Sequence, residues 1–207
     1  MSPRAKLIGI AGPSCSGKTL VATLVAERLA PQCLIVSCDY YYEDRSHMTV
    51  AERRRVNFDH PDAIEHALLA AHLAQLAAGE SVAMPTYRFD IHTRGEDTIT
   101  VEPKPVIIVE GLHVLHWPDV RDMLALKAYV DASHDACLRR RIERDVAERG
   151  RTPEEARQRY EADVRRMADE FVIPSKRFAD LVLDGAAPVE QSVDAVVSAL
   201  EHSRARL

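Results

Sequence analysis

Residues 7–19 have the sequence Leu-Ile-Gly-Ile-Ala-Gly-Pro-Ser-Cys-Ser-Gly-Lys-Thr, an apolar stretch followed by a loop with two glycines. The loop fits G-x-x-x-x-G-K-[ST], in which backbone N–H groups surround phosphates, the lysine reaches the β- and γ-phosphates and the hydroxyl residue coordinates Mg²⁺. The glycines permit backbone conformations that a Cβ would forbid, and a helix that begins at Lys18 directs the positive end of its dipole at an anion. The stretch predicts a strand and a nucleotide-binding loop, formed by Gly12, Pro13, Ser14, Cys15, Ser16, Gly17, Lys18 and Thr19.

The segment after the loop favours this interpretation over an ordinary glycine turn. Its apolar residues recur at helical spacing, as Leu20, Leu24, Val25 and Leu29, which predicts an amphipathic helix. A strand before the loop and a helix after it are what a phosphate-binding loop requires. The loop predicts nucleotide binding, but it does not identify the reaction.

Composition restricts the class of protein. A chain of 207 residues, with 46% hydrophobic and 29% charged residues, suits one α/β domain over residues 1–207 with a buried core. The net charge of -5 and the pI near 6.0 argue against a nucleic-acid partner, which normally meets a basic face. The first six residues leave no room for a signal peptide, and no apolar run reaches the ~20 residues of a membrane span. We expect a cytoplasmic protein without a membrane partner.

Two apolar runs end in a carboxylate. Cys33–Asp39 and Pro105–Glu110 have the length and continuous apolar character of buried parallel strands. Ligands of doubly wound sheets bind at the carboxyl ends of the strands, so we expect Asp39 and Glu110 near the phosphates, and an acid in the Glu110 position commonly holds Mg²⁺. The alternatives are a turn or helix cap for Asp39 and a structural ion pair for Glu110.

Three segments around the predicted sheet have two interpretations each. Tyr40–Tyr42 contains three of the six tyrosines, which indicates either a ring-lined pocket or ordinary packing. Asn57–Ala63 precedes an amphipathic helix over Ile64–Ala78. It is either an ordinary helix start, with the capping residues and proline typical of one, or part of a functional site. Residues 81–101 predict a β-hairpin with its turn at Gly95–Asp97. A lone histidine in it, His92, is more often a surface residue than a ligand contact.

An arginine-rich helix follows the strand Leu126–Asp131. The spacing predicts a helix from about His134 to Glu148 with Leu138, Ile142 and Val146 on its buried face and the arginines on the opposite face. The default interpretation is a solvated charged face with ion pairs, Arg141 with Asp145 and Arg144 with Glu148. The functional one is an arginine lid over about 139–168 that closes on phosphates. A further helix, strand and helix complete a three-layer α/β architecture around a parallel sheet.

Several segments, taken together and in order, resemble the uridine kinases (uridine-cytidine kinases), a family of phosphate-loop kinases of small metabolites. The resemblance covers nearly the whole chain. Its segments are Gly12 to Thr19, Asp39 with Tyr41 and Tyr42, Asn57 to Ala63, Pro85 to Tyr87 with Phe89, His92 and Arg94, Glu110 with Gly111, Arg140 and Arg141 with Arg144 and Asp145, Glu148 to Arg151, and Pro174 to Lys176 with Ala179 and Asp180.

The resemblance implies transfer of the ATP γ-phosphoryl to the 5′-hydroxyl of uridine or cytidine in pyrimidine salvage, by a homotetramer. Asp39 would orient the hydroxyl and accept its proton, and Lys18 would act on the phosphates. The implied Mg²⁺ ligands are Thr19, Asp39 and Glu110. The implied nucleoside contacts are Tyr42, Phe58 and Tyr87 around the pyrimidine, His92 at its 4-position, and Asp59 with Arg144 at the ribose. Arg141, Arg149 and Arg151 would form the phosphate clamp and lid.

Two residues of this chain depart from the family pattern, and two alternative functions stay open. The family usually has Asp where this chain has Arg88, and tends to have Gln where it has Arg159, so the base preference is less defined than the reaction. One alternative is a kinase of another hydroxyl metabolite, of the phosphoribulokinase or pantothenate kinase type. The other is a nucleotide-dependent regulatory protein without an acceptor, which the absence of D-x-x-G and N-K-x-D disfavours.

Overall fold

A computed structural model describes residues 5–204. Outside the described range lie residues 1–4 and 205–207. The expectation about a signal peptide concerns residues 1–6 and therefore falls partly outside this range. A five-stranded sheet has the order β2-β5-β1-β6-β7 with parallel neighbours, and β3 pairs with β4 in a separate antiparallel sheet. The strands are β1 (Lys6–Ala11), β2 (Cys33–Ser37), β3 (Val82–Arg88), β4 (Thr93–Val101), β5 (Val106–Glu110), β6 (Leu126–Asp131) and β7 (Leu181–Asp184).

Helices connect the strands and cover the sheet. They are α1 (Lys18–Arg28), α2 (Val50–Arg53), α3 (His66–Ala78), α4 (Pro118–Arg121), α5 (His134–Arg149), α6 (Pro153–Arg159), α7 (Arg165–Met167), α8 (Ile173–Ser175) and α9 (Val189–Arg204). Two π-helical segments, Tyr160–Val164 and Ala168–Val172, join α6, α7 and α8, and a 3₁₀ turn at Lys176–Phe178 ends this region. Two further 3₁₀ turns lie at Cys38–Tyr41 and Pro61–Ala63.

The two largest parts of the core are apolar layers, one on each face of the parallel sheet, and a smaller cluster of Cys137, Tyr160 and Val164 lies between α5 and the first π-helical segment. Leu7 of β1 packs with residues of α3, α4 and the hairpin, while Ile8 and Ile10 of the same strand pack with α1 and α9. Every residue of β5 is buried, as expected for a parallel strand that helices cover on both sides. The predicted α/β fold with three layers is confirmed. Within residues 5–204, no helix has the length and apolar character to cross a membrane.

The predicted position of the hairpin turn is wrong. Gly95 to Asp97 lie inside β4, and the chain turns at residues 89–92 instead, between Arg88 and its partner Thr93. Gly95 meets a packing need rather than a turn, because a Cβ there would lie 2.1 Å from the Thr86 hydroxyl oxygen, a close approach typical of glycine within a strand. The correction places His92 in the turn, with a left-handed φ of 53°.

The predicted faces of two helices also differ from the structure. On α5 the buried residues are Cys137, Arg141 and Asp145, whereas Val146 is 43% exposed. Charged side chains occupy the inner face of α5 because they form ion pairs there. The spacing of apolar residues does not reveal such a buried charged face. On α1 the first leucine, Leu20, is 53% exposed. The helix predicted from Ile64 begins two residues later, at His66, after the 3₁₀ turn that His60 caps.

Candidate active site

The phosphate-binding loop connects β1 to α1. Gly12 has a φ of 153°, and a Cβ on it would lie 2.5 Å from the backbone oxygen of Val130. Gly17 caps α1 with a φ of 106°, and Lys18 Nζ donates to the Pro13 oxygen across the loop at 3.4 Å. Three predicted loop residues do not line the cleft described below: Gly12, Pro13 and Ser16. The remaining members face the cleft at the N-terminal end of α1, where backbone N–H groups favour an anion.

The Glu110 carboxylate joins three segments at the floor of the site. Thr19 Oγ1 donates to one of its oxygens at 3.1 Å, and Ser37 Oγ donates to the other at 2.6 Å. Ser37 also accepts a hydrogen bond from the backbone N–H of Asp39 at 3.4 Å. Sequence analysis missed Ser37. The available signal was a hydroxyl residue at the end of β2, which pairs in register with Glu110 of β5.

Asp39 lies beyond the end of β2, in the 3₁₀ turn Cys38–Tyr41. It lines the cleft together with Lys18 and Glu110. Its surface is open to the solvent of the cleft, but the surrounding walls partly desolvate its carboxyl. This burial and the nearby Glu110 charge raise its pKa, against the opposing effect of Lys18. Asp39 and the loop residue Lys18 therefore line the same cleft.

The donor set around Thr19 fits Mg²⁺. Two carboxylates, Asp39 and Glu110, and the hydroxyl of Thr19 supply the hard oxygen ligands that this ion prefers. Within residues 5–204 no group of three or more His, Cys, Asp or Glu side chains could hold a metal. Mg²⁺ in phosphate-transfer sites is normally bound by one or two carboxylates and completed by water and substrate phosphates, so the small number of protein ligands is compatible with it.

Aromatic rings form a slot beside Asp39. The Phe58 and His92 rings stack with centroids 5.4 Å apart at 25°, and the Tyr42 ring contacts Phe58 at 5.2 Å and Tyr87 at 5.1 Å. The tyrosine run serves two purposes, since Tyr41 is buried in the core while Tyr42 faces the slot. Such a slot is suited to a flat ring.

The slot and the phosphate-binding loop open into one cleft of about 1620 Å³, more than the 300–1,000 Å³ of common ligand pockets. The predicted site residues that line it are Ser14, Cys15, Gly17, Lys18, Thr19, Asp39, Tyr42, Phe58, Asp59, Tyr87, His92, Glu110, Arg141, Arg144, Arg149 and Arg151. This volume has room for two ligands side by side. The structure brings residues from distant parts of the chain to the same space.

Asp145 organises the arginines above the loop. Its carboxylate is fully buried and contacts Arg151 at 2.6 Å, Arg144 at 2.9 Å, Arg141 at 3.6 Å and Arg149 at 3.7 Å. Burial acts to raise its pKa, but the hydrogen bond from Arg144 and the surrounding positive charges lower it overall. The predicted pair of Arg141 with Asp145 is present, whereas Arg144 contacts Asp145 rather than the predicted Glu148.

Arg141 connects this cluster to the rest of the site. Its Nη1 donates to Ser14 Oγ of the loop at 3.0 Å and lies 4.0 Å from an Asp59 carboxylate oxygen. The neighbouring Arg140, which also lines the cleft, donates to the backbone oxygens of Ser16 and Gly185 at 3.0 and 2.7 Å, so it links the loop to the segment after β7. Both side chains project from α5, which explains why this helix buries its charged face.

His113 is a second residue that sequence analysis missed. It is 2% exposed, and its Nε2 donates to the Asp59 backbone oxygen at 2.9 Å. Burial lowers its pKa from the ordinary 6.5 to about 3, although the bond to Asp59 opposes this. The imidazole is therefore neutral at pH 7. The signal in the sequence was a polar residue two positions after Gly111, within an apolar run.

The two departures from the family pattern have different environments. Arg88 forms an exposed ion pair with Asp90 at 2.9 Å. Arg159 lines the cleft. Burial is the main cause of the lowered pKa of His92, and the positive charge of Arg159 is the next largest. Of the two departures, Arg159 is therefore the one whose charge acts on His92.

The parallel sheet, the phosphate-binding loop and the acid at the end of β5 define a P-loop kinase. Residues 7–191 match the family model described as "Phosphoribulokinase / Uridine kinase family". The chain is 41% identical over 210 residues to a uridine kinase of Shewanella frigidimarina, covering 99% of both chains. It is 43% identical over 202 residues to a uridine kinase of Chloroflexus aurantiacus, covering 97% of both. The chain belongs to the phosphoribulokinase/uridine kinase family, as its resemblance to uridine kinases indicated.

Solved structures share the fold at lower identity. A putative fructose transport system kinase from Silicibacter sp. TM1040 matches with a TM-score of 0.70 and 19% identity, covering 87% of this chain and 90% of that one. The phosphoribulokinase from Rhodobacter spheroides matches with a TM-score of 0.66 and 17% identity, covering 88% of this chain and 71% of that one.

Replacement of Asp145 tests the arginine cluster. Asp145→Asn removes the buried charge that four arginines share, and we expect the free energy of unfolding to fall by about 2 to 4 kcal/mol. Urea denaturation measures the change. Asp194→Asn is the matched control, because Asp194 is exposed and forms a surface ion pair with Arg28 at 3.2 Å, and its effect should stay within about 0.5 kcal/mol. Equal losses in both variants would contradict the role of Asp145.

Replacement of His113 tests its lowered pKa. A histidine with a pKa near 3 in the folded state and 6.5 in the unfolded state contributes stability above pH 6.5 that is lost as the pH falls toward 3. Between pH 7 and pH 5 the loss is about 2 kcal/mol. His113→Phe should remove this part of the acid sensitivity in urea denaturation, whereas His47→Phe, at an exposed site, should retain it. An unchanged acid sensitivity in His113→Phe would refute the assignment.

Proposed function

We propose that this protein transfers the γ-phosphoryl group of ATP to the 5′-hydroxyl of uridine, and also of cytidine, in pyrimidine salvage. The observation that carries the proposal is the stacked pair of Phe58 and His92 in the cleft that also contains the phosphate-binding loop. Relatives at 40–43% identity over nearly their full length that are named uridine kinases support it.

Asp39 is the residue that acts on the 5′-hydroxyl. A carboxylate with an ordinary pKa near 4 is a weak base, and in the protein burial and the Glu110 charge raise the pKa of the Asp39 carboxyl. Phosphoryl transfer depends mainly on positioning and on charge stabilisation. Asp39 therefore orients the hydroxyl first and takes its proton late, while Lys18 contacts the β- and γ-phosphates.

Thr19, Asp39 and Glu110 would hold Mg²⁺, directly or through water. When bound, this ion would supply positive charge that neutralises the negative charge developing on the phosphates. The protein's own contribution is to hold the Glu110 carboxylate between the hydroxyls of Thr19 and Ser37. These hydrogen bonds direct one oxygen of the Glu110 carboxylate at the phosphate-binding loop and the other at the end of β2.

The nucleoside occupies the slot. Phe58, Tyr42 and Tyr87 bind the faces of the pyrimidine, and neutral His92, which offers one donor and one acceptor nitrogen, serves the 4-oxo or the 4-amino group. Asp59 and Arg144 bind the ribose hydroxyls. Arg141, Arg149 and Arg151 form the phosphate clamp, since guanidinium forks match phosphoryl oxygens and stabilise their charge.

The remaining features of the proposal have two sources. The homotetrameric assembly is implied by the family, whereas a cytoplasmic location and the absence of nucleic-acid and membrane partners are expected from the net charge of -5 and from the lack of a long apolar run. Native mass spectrometry of the purified chain tests the assembly directly. A sugar phosphate acceptor of the phosphoribulokinase type would not need the aromatic slot, so a panel of acceptors distinguishes the two substrate classes.

Substitutions at Lys18 and Asp39 test the reaction. Lys18→Ala and Asp39→Asn should each lower kcat for uridine by about 10²-fold or more, because they remove charge stabilisation and proton acceptance. A coupled assay of ADP release measures the rate, and thermal melting checks the fold. Asp122→Asn is the control, because this carboxylate is exposed and does not line the cleft. Normal turnover in Asp39→Asn would reject its role.

Substitution of His92 tests recognition of the base. His92→Phe retains a ring that can stack on Phe58 but removes both hydrogen-bonding nitrogens, so KM for uridine and for cytidine should rise about tenfold. KM for ATP should not change. Steady-state kinetics with each nucleoside measure the effect, and unaltered nucleoside KM values would count against His92 as the group that contacts the base.

A further inference from the structure

Arg53 is a buried arginine whose role the proposed reaction does not explain. It is the last residue of α2 and is 9% exposed. Within residues 5–204 its hydrogen bonds all go to backbone oxygens rather than to a carboxylate. A buried guanidinium is costly unless its N–H groups are satisfied, so these oxygens define what the side chain does.

Three of the four oxygens belong to the segment just before α2. Arg53 Nε donates to the Arg45 oxygen at 2.8 Å and to the Met48 oxygen at 3.0 Å, and Nη2 donates to the Ser46 oxygen at 3.1 Å. The planar fork of arginine, with five donors in fixed directions, suits such a set of acceptors, and a lysine does not reproduce it. The side chain therefore holds residues 45–48 against α2.

The fourth oxygen lies in a different part of the fold. Arg53 Nη1 donates to the Ile91 oxygen at 3.1 Å, in the turn that joins β3 to β4. The next residue, His92, has a left-handed φ of 53°, which is uncommon for a residue other than glycine and requires support from its surroundings. Thr93 Oγ1 gives a weaker second link, to Asp44 at 3.4 Å.

This arrangement connects both sides of the aromatic slot. Phe58 lies five residues after Arg53 in the chain. His92 directly follows Ile91, whose oxygen accepts the hydrogen bond from Arg53. The Arg53 side chain therefore connects the two segments whose rings, Phe58 and His92, stack with centroids 5.4 Å apart. The Arg53 charge also acts on the Tyr87 hydroxyl of the same slot. The turn at 89–92 has partly exposed side chains and depends on such links for its position.

We infer that Arg53 is a positioning residue for nucleoside recognition, because its hydrogen bond to Ile91 holds His92 against Phe58. The inference rests on the proposed function for its kinetic consequence. Its structural part, the attachment of the turn to α2, does not depend on the identity of the substrate.

The experiment compares Arg53→Met with the wild-type protein. The variant keeps a long side chain but loses all four hydrogen bonds. Hydrogen exchange of a peptide that spans residues 88–93, measured without substrate, should become about tenfold faster or more. KM for uridine should rise about tenfold, whereas kcat and KM for ATP should stay within about threefold. Arg55→Met is the matched control, since Arg55 is exposed and should leave all these values unchanged.

The outcomes separate this inference from the proposed function. A wild-type protein that phosphorylates no nucleoside rejects the function, while the exchange data still test the attachment of the turn. Wild-type exchange at residues 88–93 in Arg53→Met overturns the inference, as does a proportional loss in every kinetic constant. If Arg53→Met shows no folding transition, Arg53→Lys replaces it. That variant should raise KM for uridine to a smaller extent, and wild-type values in it also overturn the inference.

Discussion

The Glu110 carboxylate, held between the hydroxyls of Thr19 and Ser37, is the contact on which the organisation of the site depends. It joins the end of β5 to the phosphate-binding loop and to the end of β2. The geometry follows from the parallel sheet, because Ser37 and Glu110 stand in register as neighbours and both strands end at the same edge. Asp39, two residues after Ser37, is thereby delivered to the floor of the cleft.

A second carboxylate, that of Asp145, holds four arginines together above the loop. Several arginines in a small volume repel one another, and a buried negative charge among them offsets that repulsion. Since Arg141 contacts both Asp145 and Ser14, the arginine cluster is attached to the loop rather than free in solvent. The site thus has a carboxylate on each side of the space in which phosphates would lie, and each carboxylate is restrained by hydrogen bonds.

Elements with strong local signals are predictable from this sequence, whereas the predictions are wrong where a contact between distant segments determines the structure. The strands β1, β5 and β6 consist mainly of apolar residues, and their predicted limits agree closely with the structure. The hairpin turn was misplaced because Gly95 allows close packing against Thr86. In the sequence such a glycine cannot be distinguished from a glycine in a turn. The buried face of α5 was misassigned because paired charges occupy it.

The sequence by itself determined the phosphate-binding loop, the parallel α/β architecture and the family, because each depends on local residue order and on the alternation of apolar runs with helices. Only the tertiary structure decided the contacts of Ser37, His113 and Arg53. Each is a single polar side chain whose partner lies in another segment, and no local pattern encodes a pairing across such a distance. Backbone acceptors leave no trace in the sequence, since every residue carries one.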